Sequence, residues 1–224
     1  MAESALSFEV ADKGSVSALL LRPAGAQLLY VLGHGAGAGM RHSFLDAVAT
    51  HLFHRNIATF RYQFPYMEAG RRSPDPPGVL AATVRSAVTA AHDAAPDLPI
   101  VAGGKSLGGR ISSQVVASDA PPLIEGLVFL GFPLHAPKQP SVTRSEHLSS
   151  IRVPMLFLQG TRDDLADLDL FEPIIRRLGR IATLHTVQGG DHSFRVLKRS
   201  GRTEHEVMQE LAEAISTWTR RVLT

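Results

Sequence analysis

Cysteine is absent from the chain, which excludes disulfides, thiolate metal sites and a cysteine nucleophile at once. No apolar run approaches the roughly 20 residues that a membrane span needs, and Met1-Ala2-Glu3-Ser4-Ala5 is not a basic segment leading into an apolar one. The expectation is a cytoplasmic protein without membrane association. Excess charge of either sign is also missing: 23 Lys and Arg face 21 Asp and Glu, and like charges cluster only in pairs such as Arg71-Arg72 and Arg176-Arg177. Nucleic acid is therefore not an expected partner. Internal repeats and low-complexity segments are lacking too. At 224 residues the chain is expected to fold as one domain, 1–224, with a core large enough to need no staples.

What is present alternates. Leu6 to Val10 and Val16 to Leu21 flank the turn Asp12-Lys13-Gly14 and predict an antiparallel hairpin at a sheet edge. Continuous apolar runs, the mark of strands buried on both faces, follow at Leu28 to Leu32, Ile57 to Arg61, Leu98 to Ala102, Leu123 to Leu130, Val153 to Gln159 and Ile181 to Val187. Helical periodicity separates them at Phe44 to His54, Val79 to Ala95, Ile111 to Ala117 and Leu168 to Leu178, and Glu204 to Val222 closes the chain. The segment Tyr62 to Gly78 carries so many helix breakers that it reads as a long loop. Strand–helix alternation of this kind predicts a three-layer α/β/α sandwich around a mainly parallel sheet, with the site outside the carboxyl ends of the strands. Between Leu130 and Val153 there is too little chain for a lid domain.

One stretch organises the chemistry. Gly104-Lys105-Ser106-Leu107-Gly108 spells G-x-S-x-G between a strand and a helix, the setting in which a serine hydroxyl is held exposed on a strained bend. Gly104-Lys105-Ser106 also matches the tail of a phosphate-binding loop, but Pro99 stands where that motif needs glycine and an apolar strand stands where it needs a loop. A serine needs a base, and the base needs an orienting acid. Of the ten histidines, His192 lies in the loop between the last strand and the last helix, at the sheet edge that carries Ser106. The acid is expected from the preceding strand's exit, Gln159-Gly160-Thr161-Arg162-Asp163-Asp164. Asp163 is the choice, with Asp164 the nearest rival and Asp167 a remote one, for which capping the helix that starts near Leu168 is a plausible alternative role. The order Ser106, Asp163, His192 is that of elbow hydrolases.

An oxyanion hole requires two backbone donors; the amides of Leu107 and, from the loop Gly33 to Gly39, of Ala36 are the candidates. His34 is read as shaping that loop rather than as a base. Tyr62, Phe132, Leu134 and Phe194 are candidates for the wall of a substrate pocket, Tyr66 belongs to the same set, and Arg71 and Arg72 are read as solvated.

Through Gly104 to Gly108, Asp163, His192 and His34-Gly35, the chain resembles the α/β-hydrolase superfamily over nearly its whole length. Gly33 to Met40, Phe60 to Met67 and Gly103 to Arg110 are similar to a small capless branch related to dienelactone hydrolases. The resemblance implies an α/β-hydrolase fold without a lid and a serine hydrolase acting on an ester, thioester or lactone of a small acyl substrate, with no cofactor and no metal. It departs from the family in two places: Lys105 beside the serine is unusual, and dienelactone hydrolases use cysteine. The same branch resembles a scaffold domain of a non-specific lethal chromatin complex, so a catalytically silent scaffold is the alternative.

Overall fold

A computed structural model describes residues 2–118 and 123–222. Eight strands form one sheet: β1 (Glu3–Val10), β2 (Gly14–Leu21), β3 (Leu28–Gly33), β4 (Ile57–Tyr62), β5 (Ile100–Lys105), β6 (Ile124–Leu130), β7 (Met155–Gly160) and β8 (Ala182–Val187). Their order across the sheet is β1-β2-β4-β3-β5-β6-β7-β8. The β1–β2 hairpin occupies one edge and pairs antiparallel to β4, and every other neighbouring pair is parallel. Because β4 lies on one side of β3 and β5 on the other, the chain reverses direction across the sheet at β3. The loops leaving β3 and β5 diverge there and open a crevice.

The continuous apolar runs become strands buried on both faces. Side-chain alternation sends Leu29, Val31, Phe60, Ala102, Phe129 and Phe157 to one face, against α3 (Pro77–Ala94), α4 (Leu107–Ser118) and α5 (Leu168–Leu178). It sends Leu28, Tyr30, Leu32, Val101, Val128 and Leu156 to the other, against α1 (Ser43–Phe53) and α6 (Glu204–Val222). Two cores on either side of one sheet make the three layers. A buried cation stands among them: Arg61 of β4 pairs with Glu3 at the start of β1 and Asp46 of α1, joining the sheet edge to the helix layer. Between β6 and β7 the chain forms only a loop and a 3₁₀ turn, Thr143–Ser150, so there is no lid. Among the described residues no helix is long and apolar enough to cross a membrane.

The segment Tyr62 to Gly78 corrects the expectation of a plain loop. It contains the single-turn helix α2 (Pro65–Glu68), and its last two residues already belong to α3. Proline accounts for both: Pro65 and Pro77 stand at the first helical positions, where a missing N–H costs nothing and the fixed φ fits the helix.

Candidate active site

Ser106 follows the last residue of β5 and precedes the first of α4, with φ of 50°, a left-handed conformation that non-glycine residues seldom adopt. Close backbone approach makes the bend possible. A β-carbon on Gly104 would lie 2.1 Å from the carbonyl oxygen of Gly33, and one on Gly108 would lie 2.4 Å from the Gly33 carbonyl carbon. Only glycine permits the end of β3 and the start of α4 to pack this tightly. The bend is tied by Ser106 N–H to Leu130 O (3.2 Å) and Gly108 N–H to His34 O (3.1 Å).

The hydroxyl meets an imidazole. His192 Nε2 lies 2.9 Å from Ser106 Oγ, and its Nδ1 lies 2.8 Å from Asp163 Oδ2. The Asp163 side chain is fully enclosed. Its Oδ1 accepts the Leu165 N–H at 2.8 Å, and its Oδ2 also accepts a hydrogen bond from Gln159 Nε2 at 2.5 Å. A carboxylate that only accepts requires His192 to donate from Nδ1, which leaves Nε2 free to receive the Ser106 proton. Residues 86 and 29 positions apart are thus joined in one relay. Asp164 is exposed and outside it. Asp167 caps α5, accepting the Asp169 N–H at 2.9 Å.

The loop after β3 lies over the serine. A β-carbon on Gly35 would be 3.9 Å from Ser106 Cβ, ordinary van der Waals contact, so this part of the loop lies directly against the serine. His34 accepts the Phe64 N–H at Nε2 (3.1 Å), so its Nδ1 donates to Gly35 O (2.8 Å). Burial pushes its pKa down to about 4 and keeps it neutral. Tyr66 donates its hydroxyl to Ala36 O at 2.9 Å. These bonds set the loop's shape while, among the described residues, no protein acceptor occupies the amides of Ala36 and Leu107.

A cavity of about 650 Å³ opens beside Ser106 and His192, between the Gly35–Ala38 loop, the first turns of α1, the His192 loop and the first turns of α6. Phe44, Leu45, Ala47, Phe194 and Met208 make it mainly apolar, with the Phe44 and Phe194 rings stacked at 5.8 Å. Of the expected wall residues only Phe194 lines it. Tyr62, Phe132 and Leu134 are corrected to core residues: each is buried in the layer under α3, α4 and α5 and outside the cavity. The true wall comes from helices α1 and α6, on the other face. No local motif marks Phe44 or Met208 for this task. Gln159 was also overlooked, although an amide closing the apolar run Met155-Leu156-Phe157-Leu158 is a recognisable signal that a buried partner awaits it.

A second serine–histidine contact, Ser113 Oγ to His147 Nε2 at 2.7 Å, has a different character. Ser113 donates its proton to Arg110 O at 2.8 Å, so the imidazole can only donate to the hydroxyl, and no proton transfer from serine to base is set up. Burial and the nearby Arg110 push His147 down to about 4. The pair pins the 3₁₀ turn to α4. Among the described residues no group of three or more His, Asp or Glu side chains gathers as a metal site.

A serine on the bend between a strand and a helix, joined to a histidine from the loop after the last strand and an aspartate from the exit of the strand before it, over a mainly parallel sheet, is the arrangement of the α/β-hydrolase class. The chain belongs to that family, whose profile, described as an alpha/beta hydrolase domain, matches residues 26–220. Its fold is similar to a dienelactone hydrolase from Anabaena variabilis, with TM-score 0.75 and 20% identity over 99% of this chain and 98% of that one. A serine hydrolase without lid from Xanthomonas campestris gives TM-score 0.74 and 18% identity, covering 98% and 94%. A cold-adapted esterase from an Arctic intertidal metagenomic library gives 0.68 and 20%, covering 96% and 93%.

Proposed function

We propose that the chain, acting as one domain, is a serine hydrolase that cleaves an ester, thioester or lactone of a small acyl substrate through an acyl-enzyme on Ser106. The observation that carries the reading is the unbroken run of hydrogen bonds from Ser106 Oγ through His192 to the enclosed Asp163 carboxylate. Ser106 Oγ bonds to the carbonyl carbon while His192 Nε2 takes its proton. The tetrahedral oxyanion is held by the amides of Leu107 and Ala36, a contribution of about 3–4 kcal/mol per donor in comparable sites. The carbon–leaving-group bond breaks as Nε2 returns the proton to the leaving atom. Water then attacks the acyl-enzyme, its proton passes to Nε2 and on to Ser106 Oγ, and the acid is released. Asp163 holds the imidazole tautomer throughout. The descriptions of two neighbours of the same fold, a serine hydrolase and an esterase, agree with ester cleavage. The apolar cavity between α1 and α6 suits an uncharged acyl or alkoxy group and is open to solvent without a lid.

The test is a short-chain nitrophenyl ester panel with a fluorophosphonate label. Wild type should turn over the esters and take the label, and Ser106→Ala should do neither. A folded wild-type protein silent in both assays would favour the scaffold reading instead.

A further inference from the structure

Lys105 precedes Ser106, and the hydrolytic steps above give it nothing to do. Its stem lines the cavity, yet its ammonium is buried and has no hydrogen-bond partner among the described residues. Leaving a cation so is costly unless nearby charge compensates it. The surroundings are specific. Nζ lies 5.8 Å from the centre of the Phe194 ring. On the far side is Gly131, at the end of β6 with φ of 71°. A β-carbon there would stand 3.0 Å from Lys105 Nζ, 3.3 Å from His192 O and 3.5 Å from His192 Cε1, so ammonium and imidazole both border the space beside this glycine. The opposite charges acting on it are Asp163, from the loop after β7, and Asp191, from the His192 loop. Along the cavity the remaining charged or titratable groups are His42 before α1, Arg195 beyond Phe194 and Glu204 at the start of α6.

We propose that Lys105 is a positioning residue for the Ser106 chemistry: its buried ammonium offsets the enclosed Asp163 carboxylate, so that negative charge builds on the attacked carbonyl without facing an uncompensated anion, and its stem and charge hold Phe194 beneath the His192 loop. The proposal rests on the ester-cleaving reading. Attack creates an oxyanion and an imidazolium together; Asp163 favours the second and opposes the first. A fixed cation on the imidazole's Cε1 side restores the balance in a region where solvent cannot screen it. The active form is the ammonium. Burial lowers the Lys105 pKa to about 8, against the upward pull of Asp163 and Asp191. A lysine with a lowered pKa is charged below that value and neutral above it. Turnover should therefore be flat to about pH 7.5 and fall through pH 8.

Lys105→Met keeps the length and apolar stem and removes the charge. It should lower kcat at least about 10-fold at neutral pH with KM within about twofold, the loss expected when one partly screened charge no longer acts on another. It should also lack the alkaline fall. Lys105→Arg, which stays charged, should keep most of kcat and carry the plateau beyond pH 9. If Lys105→Met fails to fold, the Lys105→Arg profile decides alone. The chain has only four lysines, so a side-chain NMR titration resolves Lys105 without any substrate. One lysine should titrate near pH 8 and vanish in Lys105→Met. A Lys105→Met enzyme with wild-type kcat and pH profile overturns the proposal while Ser106 stands. Wild type as inert as Ser106→Ala overturns the ester-cleaving reading and the role of Lys105 with it.

Discussion

Replacing Gln159 with leucine tests how the acid is held. The carboxamide is completely buried and spans two loops: Nε2 donates to Asp163 Oδ2 at 2.5 Å, and Oε1 accepts the Phe132 N–H at 3.0 Å. Leucine has nearly the same volume, so cavity formation contributes little and the loss is polar. A hydrogen bond to a charged group is worth about 1.5–3 kcal/mol, and a buried N–H left without an acceptor costs about 1–3 kcal/mol. Together they predict about 3–5 kcal/mol of destabilisation, which for a chain of this size lowers Tm by about 10 °C. Asp163 keeps the Leu165 N–H and His192 but loses the bond that sets its plane, so kcat should fall about tenfold while KM is little changed. Gln159→Glu separates the two losses, because it still accepts the Phe132 N–H yet places a second carboxylate against Asp163. Urea unfolding read by fluorescence and ester hydrolysis at pH 7 measure both effects. A Gln159→Leu protein within about 0.5 kcal/mol of wild type, with unchanged kcat, would refute the reasoning.

The neighbouring aspartates should part sharply: Asp163→Asn should lower kcat by about 10³- to 10⁴-fold through the wrong imidazole tautomer, whereas Asp164→Ala should leave most of it. Steady-state kinetics of the two variants reads this, and the reverse ranking would move the acid to Asp164. The buried His34 predicts a pH dependence of stability. Its folded pKa, about 4, lies below the unfolded value near 6.5, so the unfolded chain binds the extra proton and stability falls as pH drops through that window. From pH 6.5 to 5 the loss from His34 should be about 2 kcal/mol, seen as a falling urea midpoint; a flat midpoint over that range would mean that His34 is not held neutral.

The bend at Ser106 and the meeting of Ser106, His192 and Asp163 are legible in the sequence because each depends on local signals: a G-x-S-x-G bend, and a histidine and an aspartate at the exits of the last two strands. Asp163 and His192 follow from strand order alone, since a parallel sheet puts all its carboxyl ends at one edge. Tyr62, Phe132 and Leu134 misled because the sequence shows that they are apolar and near that edge, but not which face of the sheet they take. They pack into the core under α3, α4 and α5, whereas the cavity opens toward α1 and α6. Pro65 and Pro77 were read as breakers because the same residue that ends a helix also begins one, and the distinction depends on what packs against the following turn. Lys105 was visible as an oddity. The role proposed for it depends on the space beside Gly131, which no local sequence signal marks.

The three glycines that bring Gly33, Gly104 and Gly108 into contact fasten the reactive hydroxyl by main chain alone. The groups that line the cavity beside it hang from other parts of the scaffold, on α1, on α6 and on the turn at Phe194. Anchor and selector are therefore separable: substitutions at Ala47 or Met208 can retune which molecules are accepted while the bond-breaking apparatus keeps its alignment.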